Sequence, residues 1–162
     1  MSKKSATEVI LSAWNRLRPI PGGVWLFNQL LRIFNPYSGS IRGYVNELQP
    51  GYVQTELRDQ RRIRNHLNSI HALALANLGE LTSGLALLSC LPANVRGIPI
   101  KISTDYFKKA RGKLLAECHT RISEDLSALK ETMDYEVSAE IVDEDGDVVS
   151  RTVVNWRLGP IE

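Results

Sequence analysis

Residues 65–91 read NHLNSIHALALANLGELTSGLALLSCL, and this stretch decides the fold. Its apolar residues recur as on a long helix, its start is polar, and a single carboxylate, Glu80, stands in the middle. Burying an ionised carboxylate without a partner is expensive, so such a group is paired, neutralised by a raised pKa, or exposed in a cleft where it works. Glu80 is therefore the residue that most needs a reason. Small residues at Ala72, Ala76, Gly79, Ser83, Ala86 and Cys90 make one helix face narrow, so that a neighbour can pack very close. Leu75, Leu78, Leu85 and Leu88 make a separate bulky face. Glu80 belongs to neither. It shares a third line with Leu73, Asn77, Gly84 and Leu87, where a small pocket is expected.

His71 and Glu80 are nine residues apart. On an α-helix they point to opposite sides, with a rise of roughly 13 Å between them. One helix cannot aim both at one substrate. A site that uses both ends needs the helix start of one chain and the helix middle of another, which a two-fold homodimer supplies twice.

Working outward, Val9, Ile10, Ala13, Trp14 and Leu17 fall at helical spacing, and residues 24–34 repeat the pattern before Asn35-Pro36 stops it. The second of these helices is too apolar to be a DNA-reading helix, so both are expected to pack on the body or on a partner. Residues 41–48 and 52–57 read as strands joined by a tight turn at Pro50-Gly51. After Pro92, residues 98–107, 114–122, 135–142 and 148–158 read as four more strands, the last two joined through Glu144-Asp145-Gly146-Asp147. Residues 123–132 form a polar connection. The order predicts an α+β chain whose antiparallel sheet wraps one buried helix. It is read as one domain over residues 1–162, with a helical extension at 1–36 and the core at 37–162.

Composition narrows the function classes. With 43% apolar and 23% charged residues the chain can bury a real core. A net charge of +2 is too mild to imply nucleic acid. Cys90 and Cys118 are too few for a disulfide framework, and no secretory apolar segment is visible, which fits a cytoplasmic location. Asn77, Glu80, Thr82 and Ser83 interrupt the apolar helix, so a core helix is expected rather than membrane insertion. His66 and His119 lie in no pattern with metal-ligand spacing.

The run from Asn65 through His71 to Glu80 is similar to the signature of hotdog-fold thioesterases, most of all the phenylacetate-pathway type. Residues 102–110, ISTDYFKKA, resemble that family's strand after the helix, and the likeness covers about residues 40–158. The resemblance implies the hotdog fold, dimers or dimers of dimers that join sheets edge to edge, and acyl-CoA sites at the dimer interface. Carried over by position, Asn65 orients the thioester or water, the Ala72 backbone N–H polarises the carbonyl, His71 shapes the turn, and Glu80 of the other chain is base or nucleophile. Unpaired N–H groups at a helix start stabilise a developing oxyanion, by roughly 3 kcal/mol per donor elsewhere. Thr82 and Ser83 follow the acid and are candidates to position water or substrate.

Two departures stand out. His71-Ala72-Leu73 replaces the family's usual His-Gly-Gly, and glutamate replaces a frequent aspartate at Glu80. A backbone donor survives replacement of Gly by Ala, but room near the carbonyl shrinks. Arg58, Arg61, Arg62 and Arg64, with Lys108, Lys109, Arg111 and Lys113, form two basic clusters suited to the phosphates of CoA, with Lys109 and Arg111 the preferred pair. The expected activity is acyl-CoA hydrolysis with CoA only as part of the substrate and no metal or redox cofactor. The alternative is a binding protein that kept the pocket and lost turnover; a hotdog dehydratase fits less well, because it uses a histidine and carboxylate at other spacings.

Overall fold

The computed structural model describes residues 6–122 and 126–161. Helix α1 (Ala6–Leu17) and helix α2 (Gly23–Phe34) lead the chain, followed by one turn of helix, α3 (Pro36–Gly39). Strands β1 (Tyr44–Gln49) and β2 (Tyr52–Arg58) precede the long helix α4 (Ala72–Leu88). Strands β3 (Val95–Tyr106), β4 (Lys113–His119), β5 (Met133–Val142) and β6 (Val148–Pro160) complete a six-stranded sheet of order β1-β2-β4-β5-β6-β3. Every pairing is antiparallel, and α4 lies against the sheet. This is the wrapped-helix, α+β arrangement expected from the sequence.

The boundaries move for local reasons. Residues 65–70 are not helical: the Asn65 side-chain oxygen accepts from the backbone N–H groups of Leu67 and Ser69, holding a turn that places Asn68 at φ 53°. Helix α4 begins only where His71 caps it and ends at Ser89, short of Pro92. Pro36 ends α2 as expected but also opens α3, since proline's fixed φ suits a first helical position. The chain then passes through Arg42 at φ 57°, which delays β1 to Tyr44. Strand β4 stops at His119, before residue 122. Residues 123–125 of the polar connection lie outside the described residues, and Leu126–Ala128 make a 3-10 turn.

The narrow face of α4 has its close neighbour. A Cβ added at Gly79 would overlap the Cβ and Oγ1 of Thr152, so β6 approaches the helix backbone there. Beside it the Thr82 hydroxyl lies 2.6 Å from that of Thr55 on β2 and donates to the Leu78 carbonyl at 2.7 Å. Buried clusters lie along both halves of α4: Trp14 and Phe27 join Leu81, Leu85, Val154 and Trp156, and Ile41, Leu57 and Ile70 join Leu75, Leu78 and Leu114.

Helices α1 and α2 form a hairpin. Gly22 takes a left-handed φ of 76°, a Cβ at Gly23 would run into the Leu17 carbonyl, and Trp14 meets Phe27 edge-on with ring centroids 5.0 Å apart. Asn28 ties the hairpin to the sheet, accepting from the Val45 N–H at 2.7 Å and donating to the Val45 carbonyl at 3.1 Å. On the opposite side, β3 is an edge strand, and its Ile98, Ile100 and Ile102 remain about half exposed. Among the described residues no helix is long and apolar enough to cross a membrane.

Candidate active site

Glu80 lies in the middle of α4 on the side away from Thr82. It is partly buried, and its carboxylate has neither a hydrogen bond nor an ion pair among the described residues. Burial alone pushes its pKa above the usual carboxylate value. Two cavities meet at this group. One, of about 270 Å³, follows the line Glu80, Gly84, Leu88 and is roofed by α1 and α2 through Ile10, Ala13, Phe27, Leu31 and Phe34. The other, of about 610 Å³, lies between the first turns of α4, residues 35–38, and Ile102, Thr104 and Tyr106 of β3. Glu80 and Asn35 line both. The pocket expected on Glu80's helical line is matched by two cavities, one lined by Leu73, Asn77 and Glu80 and the other by Glu80 and Gly84.

The start of α4 leaves a donor open. The Leu73 N–H donates to Nδ1 of His71 at 3.1 Å and the Ala74 N–H to the His71 carbonyl at 2.9 Å. An accepting Nδ1 requires the proton of a neutral ring to be on Nε2. The Ala72 N–H has no acceptor among the described residues, although the Ala72 carbonyl accepts from the Tyr106 hydroxyl at 3.0 Å. Asn65 commits its side-chain oxygen to Leu67 and Ser69 while its amide N–H₂ has no acceptor among the described residues. Ala72 and Glu80 are eight residues apart, about 12 Å along the helix axis. Within one chain the helix start and Glu80 are not brought together, and neither Asn65 nor Ala72 lines the cavities that Glu80 lines.

The other sequence candidates are placed as follows. Thr82 is fully buried, its hydroxyl engaged with Thr55 and Leu78. Ser83 is also buried and donates to the backbone carbonyl of Glu80 at 3.1 Å. Lys109 and Arg111 are exposed between β3 and β4, beside Gly112 at φ 69°. Lys108 reaches Asp143 and Asp147, both at 2.7 Å; Arg58 pairs with Glu56 and Arg64 with Asp59. Arg62 instead sits near Arg42 and Arg32, and burial together with those two charges lowers its pKa. No cluster of metal-ligating side chains occurs among the described residues.

Sequence reading missed three groups. Asn77, which lines a cavity with Glu80, donates to the Tyr37 carbonyl at 3.5 Å, while its Oδ1 is buried with no partner among the described residues. The signal was its place on Glu80's helical line. Asn35 was read only as a helix stop, and Arg32 and Arg42 were not grouped with Arg62, because proximity across separate elements leaves no local trace.

Known proteins agree with this architecture. A family model described as Domain of unknown function (DUF4442) matches residues 23–158. A structural-genomics crystal structure, APC5556, superposes with a TM-score of 0.78 at 25% identity, covering 96% of this chain and 99% of that one. PA5026 from Pseudomonas aeruginosa, described as a probable thioesterase, gives a TM-score of 0.74 at 22% identity over 88% of this chain and 97% of its own. The thioesterase HI1161 from Haemophilus influenzae gives 0.69 at 13% identity over 85% and 90%. No curated protein matches the chain. The fold is the hotdog fold.

Proposed function

We propose that this chain, which belongs to the DUF4442 family, hydrolyses acyl thioesters, with acyl-CoA as the substrate class. The observation that carries the reading is Glu80: a partly buried carboxylate with no partner among the described residues, lining two cavities, in a fold shared with proteins described as thioesterases. In this reading two chains pair through the exposed β3 edges, which protects those edges and brings Ala72 of one chain toward Glu80 of the other. The open Ala72 N–H polarises the thioester carbonyl, and the free amide of Asn65 orients substrate or water. His71, held by its cap to Leu73, fixes the backbone that presents the donor. Glu80 then acts as base or nucleophile.

As base, Glu80 takes a proton from water while the oxygen attacks the carbonyl carbon. Collapse of the tetrahedral intermediate breaks the carbon–sulfur bond, and the thiolate leaves with a proton returned from Glu80. The CoA phosphates are met by basic groups, the exposed Lys109 and Arg111 or the group of Arg32, Arg42 and Arg62. No metal or redox cofactor enters these steps.

The experiment is steady-state thiol release from aliphatic and aromatic acyl-CoAs, phenylacetyl-CoA included for the likeness of residues 65–80. Wild type and Glu80→Gln are compared at equal, verified concentrations of folded dimer. Hydrolysis that Glu80→Gln abolishes while binding persists supports the reading. Saturable binding without turnover by wild type overturns it and favours a non-catalytic acyl-CoA binding protein, for which Leu73, exposed where the family usually has glycine, is the structural motive.

A further inference from the structure

The cavity of about 270 Å³ is polar at one end only. Its floor follows one line of α4, from Glu80 past Gly84 to Leu88, a run of about 12 Å. Gly84 keeps that floor open, since an added Cβ would stand 3.3 Å from the Trp156 ring. The roof is the α1–α2 hairpin, and the two helices are in register along the same line. Phe34 and Asn35, at the C-terminal end of α2, line the space with Glu80, and Asn35 also lines the second cavity at that carboxylate. Trp14 packs on Phe27, seven residues and about 10 Å back along α2, so its neighbour Ala13 roofs the end remote from Glu80. Ile10 lies one turn nearer Glu80.

We infer that this cavity holds the acyl chain of the substrate and that α1 sets the length it accepts, with Ala13 as the stop. The inference rests on the thioesterase reading for the identity of the head group, and it names the acyl class: one unbranched aliphatic chain of medium length. At about the volume of a water molecule, ~30 Å³, per methylene, the space takes roughly eight to ten carbons. A chain entering beside Glu80 runs toward Leu88 with its carbonyl left at the carboxylate, the orientation that hydrolysis requires. The family match begins at residue 23, so α1 lies outside the matched region and is a part of the chain in which length selection can differ between relatives. Among the described residues no charged group other than Glu80 lines the space, so an acyl group ending in a second carboxylate finds no cationic partner among them.

The test is a ladder from butyryl-CoA to palmitoyl-CoA, read as kcat/KM for wild type, Ala13→Phe and Ile10→Ala, and as direct binding in a Glu80→Gln background. Wild type is expected to peak at octanoyl- or decanoyl-CoA. Ala13→Phe fills the remote end, so decanoyl-CoA loses about tenfold or more while butyryl-CoA changes little. Ile10→Ala opens the roof and moves the optimum to longer chains, which keeps the inference testable if the phenylalanine variant does not fold. Unmoved profiles in a folded variant overturn it, as does a wild type that binds no acyl-CoA. Binding that shifts along the ladder without any hydrolysis sinks the thioesterase reading and leaves the acyl-chain site standing.

Discussion

The two sides of α4 treat polar groups in opposite ways. Toward the sheet, Gly79 gives up its side chain so that Thr152 can approach, and Thr82 and Ser83 bury hydroxyls that all find partners. Toward the α1–α2 hairpin and the α3 turn that follows it, the same helix carries the Glu80 carboxylate and the Asn77 Oδ1 without partners among the described residues, at the edge of open space. Satisfied polar groups in a closed interface serve stability; unsatisfied ones facing a cavity cost stability and are retained where they do something else. The sheet side therefore explains how the protein folds and the hairpin side what it does. Substitutions on the two sides should separate accordingly.

The largest effect is expected at Glu80. Replacing it by glutamine should lower kcat by about 10²–10⁴-fold, the range of general acid–base catalysis. Stability should hold or rise. With a carboxyl whose pKa burial has raised, the folded state binds more protons than the unfolded one between the ordinary value of 4.5 and the raised value. Wild-type stability therefore falls as pH rises through that window, and the glutamine variant should lack the fall. The activity of wild type should show the complementary acidic limb, displaced above the ordinary carboxylate value because the base must be deprotonated. Urea unfolding across pH, set beside thiol release, checks both; a steep loss of stability in Glu80→Gln would make this residue a structural one.

Next in size is a pair of glycine substitutions on opposite sides. Gly79→Ala drives a methyl into Thr152 on β6, a backbone-anchored neighbour, so the helix must lift from the sheet. Overpacking of this kind costs typically about 1–3 kcal/mol. Gly84→Ala meets the Trp156 ring at 3.3 Å and the Glu80 Oε1 at 3.8 Å, and narrows the cavity floor. It should lower the melting temperature less than Gly79→Ala while reducing kcat/KM for long acyl chains more. Equal losses of stability at the two positions would contradict the division between the sides of α4.

Much of this was legible in the sequence because it is local. Alternation placed the strands, Pro50-Gly51 and Asp145-Gly146 placed two turns, and Glu80 stood out because nothing near it in the chain could neutralise it. What local reading lost lay in competition and assembly. Residues 65–70 carry helix-compatible side chains, yet Asn65 bonds to the backbone of its own turn and wins over helical hydrogen bonds, so α4 starts at His71. The roof over Glu80 could not be seen, because periodicity shows that α1 and α2 have apolar faces but not what those faces cover. Thr82 was grouped with Glu80 by adjacency in sequence, whereas two residues along a helix turn a side chain through about 200°.

That last point yields the smallest and most discriminating measurement. Thr82 is a candidate substrate contact by sequence, but its hydroxyl lies 2.6 Å from that of Thr55 in the closed interface with β2. Thr82→Val removes one partner and leaves the buried Thr55 hydroxyl unpaired, at a cost of about 1–2 kcal/mol. Replacing both threonines by valine removes the stranded group together with its partner, and because the two side chains are in contact the energies should not add: the double variant should recover much of the loss. KM and kcat should stay near wild type in both variants, because neither hydroxyl faces the cavities that meet at Glu80. A double variant whose stability is restored but whose KM for acyl-CoA is raised several-fold would place Thr82 in the site after all, and would mean that α4 turns relative to the sheet when substrate binds.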